Sequence, residues 1–328
     1  MSQMRLNPLN GRWVTIVPDR AGRPSDFAPR DPSIDQGQND RPCPFCPGNE
    51  EATRPAIETI GPDGEWSMRV VPNLYPAFEG DDAFAVHNLG PVFVRAEASG
   101  IHEVFIYDAD HDGGLHTLDD DQAAEMMHVL KRRLEQHADV PHVRYTQVIV
   151  NHGREAGASV AHPHGQILGL PFVPGEVLDE ERAFARFAGG SLLETTVAAE
   201  LAAGERIVMA NDDVVVLCPW ASGDPYEMLI VPTEQHPHLP DASEQSLRAV
   251  GLAIRDAIGH LHAALGDVAF NLGVHTAPHQ HTGDYHWHVH IWPQITTQAG
   301  FERGTGVLIN IVSPESAAEA LRSVTTNA

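Results

Sequence analysis

Short runs of β-branched and aromatic residues, bounded by turn formers, mark the first strands. Residues 12–17 (RWVTIV), 91–95 (PVFVR) and 103–107 (EVFIY) are such runs and predict extended chain. Between them, residues 25–65 are rich in Pro, Gly, Asp and Asn and predict irregular loop. From about 118 to 137 the period changes. Met127, Leu130 and Leu134 recur at helical spacing, which predicts an amphipathic helix capped by Thr117. The run HVRYTQVIVN (142–151) returns to a β pattern and leads into AHPHGQILGL (161–170).

The second half repeats this order. Residues 207–220 and 226–232 read as strands, and about 243–265 as a helix with Leu247, Val250, Ile254, Ile258, Leu261 and Leu265 on one face. Residues 268–275 (VAFNLGVH) are the next strand, and HWHVHIWP (286–293) alternates His with apolar positions. His164 and His288 lie 124 positions apart, and His111 and His236 lie 125 apart. A near-constant offset predicts two related α+β halves, 1–172 and 173–328, joined around 173–206.

Composition narrows the function. The 328 residues hold 21 Lys and Arg against 45 Asp and Glu, a formal net charge of -24. Such acidity disfavours broad contact with nucleic acid or anionic membrane. A phosphorylated substrate then needs local positive charge from a metal, a few Arg or helix N-termini. No apolar stretch approaches a membrane span, no signal pattern opens the chain, and three Cys imply no disulfide framework. A cytoplasmic protein is expected. Twenty His is the conspicuous excess.

Three constellations carry chemistry. Cys43 and Cys46 stand in RPCPFCPGN, where Pro42, Pro44, Pro47 and Gly48 exclude the helix that a redox dithiol normally opens. The spacing therefore favours a metal knuckle, with His111 and His162 as candidates for the two remaining ligands. The second is His164. In an extended chain it shares a face with His162 and Gln166. A neutral imidazole attacks phosphorus without first losing a proton, and the Gln166 amide donates to a phosphate oxygen without titrating. Gly165 is expected to clear space for a phosphate. The Gly-rich stretch NHGREAGAS (151–159) offers backbone amides and the Ser159 hydroxyl to a diphosphate. The third is the late cluster of His275, His279, His281, His286, His288 and His290. Three of these share a strand face and suit a divalent transition metal once a carboxylate joins them.

Together these segments resemble the galactose-1-phosphate uridylyltransferase family, a branch of the histidine-triad superfamily. The resemblance covers nearly the whole chain: NPLNGRWVTIVPDRAGRP (7–24), CPFC, NLYPAF (73–78), NHGREAGASVAHPHGQ and HWHVHIWP. It implies an α+β fold of two histidine-triad-like halves, each a mainly antiparallel sheet with helices packed on it, assembled as a homodimer. It implies a Zn²⁺ site of Cys43, Cys46, His111 and His162. A second site, for iron or zinc, would use Glu180, His275, His288 and His290. His164 would become nucleotidylated and Gln166 would hold its phosphoryl oxygens. Asn73, Asn151, Gly157 and Ser159 would contact the nucleotide, and Arg20 and Arg23 would approach phosphate. The implied reaction moves UMP from UDP-glucose through His164 to galactose-1-phosphate. The partners are then a nucleotide sugar and a sugar-1-phosphate.

Leu74 and Tyr75 follow Asn73, where well-described members of the family carry Asp-Phe. The segment GFERGTGVLINIVSPE (300–315) also resembles the relatives that act as ADP-glucose phosphorylases. Two further readings stand beside transfer: a nucleotide-binding protein of the same fold without turnover, and a histidine-triad hydrolase working through His288.

Overall fold

The computed structural model describes residues 2–22, 42–62 and 65–324. β1 (Gln3–Leu6) and β2 (Trp13–Ile16) pair at the start of the chain. β3 (Glu58–Ile60) and β4 (Met68–Pro72) follow, then a two-residue hairpin, β5 (His87–Asn88) with β6 (Val94–Arg95). β7 (Ile101–Ile106), α1 (Asp120–Ala138), β8 (Tyr145–His152) and β9 (His164–Leu170) complete the first half. Two helices come next, α2 (Gly175–Arg186) and α3 (Leu192–Ala203). The second half runs β10 (Ile207–Ala210), β11 (Val214–Leu217), β12 (Met228–Pro232), α4 (Glu244–Leu265), β13 (Phe270–His275) and β14 (His288–Pro293). α5 (Gly300–Thr305), β15 (Leu308–Asn310) and α6 (Pro314–Ser323) close the chain.

Ten strands form one antiparallel sheet in the order β10-β11-β12-β14-β13-β8-β9-β7-β4-β3. Five strands lie on each side of the β8–β13 pairing, in the same chain order outward from it. The register repeats as well. Val150 pairs with Gly165, and 124 positions on Val274 pairs with Val289. The offset seen between the histidines is thus the offset of the hydrogen-bond ladder. The two ends of the described chain also meet: β15 adds in parallel to β2.

Side chains alternate across this sheet, so its two faces have different fates. One face carries Val148, Val150, Ile167, Leu272, Val274 and Val289 and is covered by α1 and α4. Leu134, Val250 and Ile254 meet it there, each at most 1% exposed. Each such side chain contributes about 1.5–3 kcal/mol on leaving water. Gly251 marks the closest helix approach: a Cβ there would fall 2.2 Å from Ala123 O. The opposite face carries His164, Gln166, Asn151, His275, His288 and His290. α2 and α3 cover its second-half portion through Phe184, Leu192 and Leu193, packed on Val215 and Leu229.

Helix α1 is capped by Asp119, not Thr117. Its carboxylate accepts from Asp121 N–H and Gln122 N–H, and Gln122 returns a bond to Asp119 N–H. Thr117 instead closes a preceding 3-10 turn onto Gly114. Only Val94–Arg95 of the expected 91–95 strand is extended, and both residues are exposed. No helix among the described residues is long and apolar enough to cross a membrane.

Candidate active site and metal centres

The knuckle is a pair of tight turns. Cys46 N–H donates to Cys43 O at 3.3 Å, Asn49 N–H to Cys46 O at 3.1 Å, and Asn49 Nδ2 to Cys43 O at 2.9 Å. With the prolines excluding helix, both thiols end on one side of the turn. Two strand ends supply the imidazoles. His111 lies in the loop after β7, and His162 stands just before β9, where His164 pairs with Ile106. The four donor atoms of Cys43, Cys46, His111 and His162 all lie within 4.8 Å of one another.

Hydrogen bonding fixes the His162 ring. Its Nε2–H donates to Asp108 O at 2.9 Å, so Nδ1 keeps its lone pair and stands 3.6 Å from Cys46 Sγ. His111 Nδ1 stands 3.3 Å from the same sulfur. Burial, with Cys43 alongside, pushes the Cys46 thiol up to about 11. A cation among the four atoms is what would hold Cys46 as a thiolate at neutral pH. Two sulfurs and two imidazoles are the donor set of tetrahedral structural zinc, and the residues fit it.

His164 is 8% exposed. Its Nδ1–H donates to His162 O at 2.8 Å, which leaves the Nε2 lone pair for a ligand. Burial holds its pKa below the usual imidazole range, so the ring is neutral at pH 7. Phe45, in the middle of the knuckle, packs on it with ring centroids 5.2 Å apart. The metal turn therefore also walls the imidazole.

Gln166 sits one pleat along β9, with Oε1 2.7 Å from His102 Nε2. Asn73 Nδ2 lies 3.1 Å from that same nitrogen. Asn151, at the end of β8, accepts from Asn271 Nδ2 at 2.7 Å. Asn271 also donates to Ala156 O at 2.8 Å, so a second-half residue ties the 153–159 loop to β8. Gly157, in that loop, has φ +87°, a value that favours glycine. Ser159 is exposed beside it. The expectation for Gly165 needs correction. A Cβ there would fall 2.9 Å from Ile149 O and 3.2 Å from Val150 Cγ2, so this glycine serves sheet packing on the helix-covered face.

Arg20 lies on the 3-10 turn after β2 (Pro18–Gly22), and among the described residues no hydrogen bond or ion pair joins its side chain to those around His164. Arg23 lies outside the described residues.

The second cluster faces α2. Glu180, His275, His288 and His290 have donor atoms within 4.8 Å of one another. His275 Nδ1 is 2.8 Å from Glu180 Oε1, with His288 Nε2 at 3.8 Å and His290 Nε2 at 4.0 Å. The Tyr285 hydroxyl donates to the other Glu180 oxygen. His288 Nδ1–H donates to His286 O at 2.8 Å, the same bond that His164 makes to His162. Buried His288 Nε2 and both His290 nitrogens have no hydrogen-bond partner. Orphaned lone pairs beside a buried carboxylate are what a divalent cation satisfies, so these residues fit a metal. Burial opposes the Glu180 charge, but the facing imidazoles outweigh it and hold the carboxyl well below its usual range.

Glu180 entered the sequence reading only through resemblance, because it sits in the expected joining segment. His102 and Asn271 were missed. Their visible signals were His102 at the edge of a His-rich block and Asn271 as a polar residue inside an apolar strand.

Comparison with known proteins places the chain among relatives of one family. The galactose-1-phosphate uridyl transferase N-terminal domain profile matches residues 1–174. A domain of unknown function, DUF4921, matches residues 102–326. The chain is 30% identical to ADP-glucose phosphorylase of Arabidopsis thaliana, over 98% of this chain and 93% of that one. It is 28% identical to galactose-1-phosphate uridylyltransferase of Haemophilus influenzae, with the same coverage. The crystal structure of the Arabidopsis phosphorylase with bound ADP-glucose superposes with TM-score 0.82 at 28% identity, covering 99% of this chain and 100% of that one. With more than half its length matched by the profile, the chain belongs to the galactose-1-phosphate uridyl transferase family.

Proposed function

We propose that the chain is a nucleotidyltransferase that carries a nucleoside monophosphate on His164. The observation that supports this best is the Nδ1–H bond from His164 to His162 O, which leaves Nε2 as a neutral, walled nucleophile beside Gln166. His164 Nε2 attacks the α-phosphorus of a nucleotide sugar. The N–P bond forms, the P–O bond breaks, and the sugar-1-phosphate leaves with the electron pair. A phosphate oxygen of the acceptor then attacks the same phosphorus, and the N–P bond returns its pair to Nε2. The Gln166 amide donates to the nonbridging oxygens, where negative charge develops. Asn73, Asn151, Gly157 and Ser159 hold the nucleotide. Arg20 and Arg23 reach phosphate from the second subunit of a homodimer. Cys43, Cys46, His111 and His162 would hold a zinc ion that fixes the knuckle against the His-Pro-His turn. Glu180, His275, His288 and His290 would hold iron or zinc between α2, β13 and β14. The chain divides into related halves, 1–172 and 173–328.

Two substrate pairs fit this chemistry. The family profile and the Haemophilus relative support UDP-glucose with galactose-1-phosphate. The likeness to the Arabidopsis enzyme, together with the 300–315 segment that resembles the ADP-glucose phosphorylases, supports ADP-glucose with inorganic phosphate. Incubation with each nucleotide sugar, followed by intact mass, separates them: a UMP adduct selects the first pair and an AMP adduct the second.

A further inference from the structure

We propose that His102 is a positioning residue that dictates which end of the Gln166 amide meets the reacting phosphoryl group. The inference rests on the transfer reading above. A glutamine amide has two ends of nearly equal size and opposite polarity. Only the N–H end can donate to phosphoryl oxygens. The β9 backbone places Gln166 but leaves the amide free to turn over.

His102 removes that freedom. It lies on β7, whose Val104 pairs with Gln166, so His102 is a diagonal neighbour on the same face. Ala77 N–H, which can only donate, points at His102 Nδ1 from 2.9 Å. Nδ1 is therefore an acceptor, and the ring proton sits on Nε2. That proton, with Gln166 Oε1 at 2.7 Å, must meet the carbonyl end. The amide N–H pair is left as the end available to a ligand. Asn73 N–H donates to His102 O at 2.8 Å and Tyr75 N–H to Asn73 Oδ1 at 2.8 Å, so the 73–77 segment that carries the Ala77 amide is itself tied to β7. The orientation begins at a backbone amide, runs through one imidazole and ends at Gln166.

Three proteins test it: wild type, His102→Phe and His102→Gln. Phe keeps an aromatic ring and removes both hydrogen bonds. Gln places an amide N–H where Nε2–H lies. Formation of the His164 adduct is followed by rapid quench and mass spectrometry with UDP-glucose and ADP-glucose. His102→Phe should form it about tenfold more slowly, with KM for the nucleotide sugar within about threefold. His102→Gln should recover to within about threefold of wild type. Should His102→Phe fail to fold, His102→Asn replaces it, because Asn can accept from Ala77 but cannot reach Gln166. A wild-type rate in the Phe or Asn variant overturns the inference, as does a Gln variant as slow as Phe. Absence of any adduct on wild type would instead overturn the transfer reading, and this inference with it.

Discussion

His164 donates its Nδ1 proton to the carbonyl of His162, 2.8 Å away, while His162 turns its own Nδ1 toward Cys46. Two histidines one pleat apart thus share a backbone and have separate duties. One is oriented as a metal ligand, and the other is held in a single tautomer with Nε2 open.

Cys46→Ser should release one equivalent of metal and slow adduct formation by at least tenfold, because Phe45 and His162 both hang on the knuckle. Metal content by mass spectrometry and the rate of adduct formation check this. Retention of both metal equivalents would contradict the assignment of the four ligands.

Glu180→Ala should release the other metal equivalent and destabilise the fold. It removes the carboxylate that faces three buried imidazoles, and breaking such a charge cluster typically costs about 3–5 kcal/mol. Thermal unfolding with and without chelator reads the loss. The chelator should lower the wild-type midpoint and leave less to lose in the variant.

Gln166→His should let water compete. A titratable imidazole in place of the amide can take a proton from water, so the nucleotidyl-His164 adduct should hydrolyse about tenfold faster. The half-life of the adduct without acceptor is the measurement, and an unchanged half-life would rule out this role for the amide.

The stability contributed by the Glu227 proton should fade as pH rises from about 4.5 to 8. Burial, then Asp224 alongside, raises buried Glu227 from 4.5 to about 8 in the folded protein. The folded state keeps a proton that the unfolded chain releases near 4.5. The contribution is full below about 4.5 and is lost as pH climbs to 8. Glu227→Gln should flatten that slope and raise the melting temperature at pH 8.5 by roughly 3 °C. Equal slopes in the two proteins would contradict it.

Gly251→Ala should destabilise by about 1–3 kcal/mol, since the new Cβ would collide with Ala123 O where α1 crosses α4. Denaturant titration measures it.

Much of this architecture was legible in the residues. The long helices and the strands around 103–107, 142–151, 268–275 and 286–293 announced themselves by period, and the 124-residue offset reappears in the strand register. Cys43, Cys46, His111 and His162 come together as their spacing and the resemblance implied, as do Glu180, His275, His288 and His290. α2 and α3 were not legible. In α2 the helical-period stripe of Val177, Glu180 and Phe184 has a carboxylate at its centre, and in α3 the apolar residues are spread around the helix, so neither stood out as a core-facing pattern. His102 and Asn271 were hidden for another reason. Each acts through a side-chain hydrogen bond across strands distant in sequence, and periodicity carries no sign of that. Gly165 misled because a glycine beside a reactive histidine suggests ligand space, whereas its hydrogen faces the other side of the sheet.

The central claim is that His164 carries the nucleotide. Wild type and His164→Ala are incubated with UDP-glucose and with ADP-glucose, and peptide mass spectrometry follows under conditions that preserve acid-labile bonds. The account predicts a nucleoside monophosphate on the peptide containing His164 in wild type, with equimolar glucose-1-phosphate released, and neither in the variant. Glucose-1-phosphate release that persists in His164→Ala would contradict it.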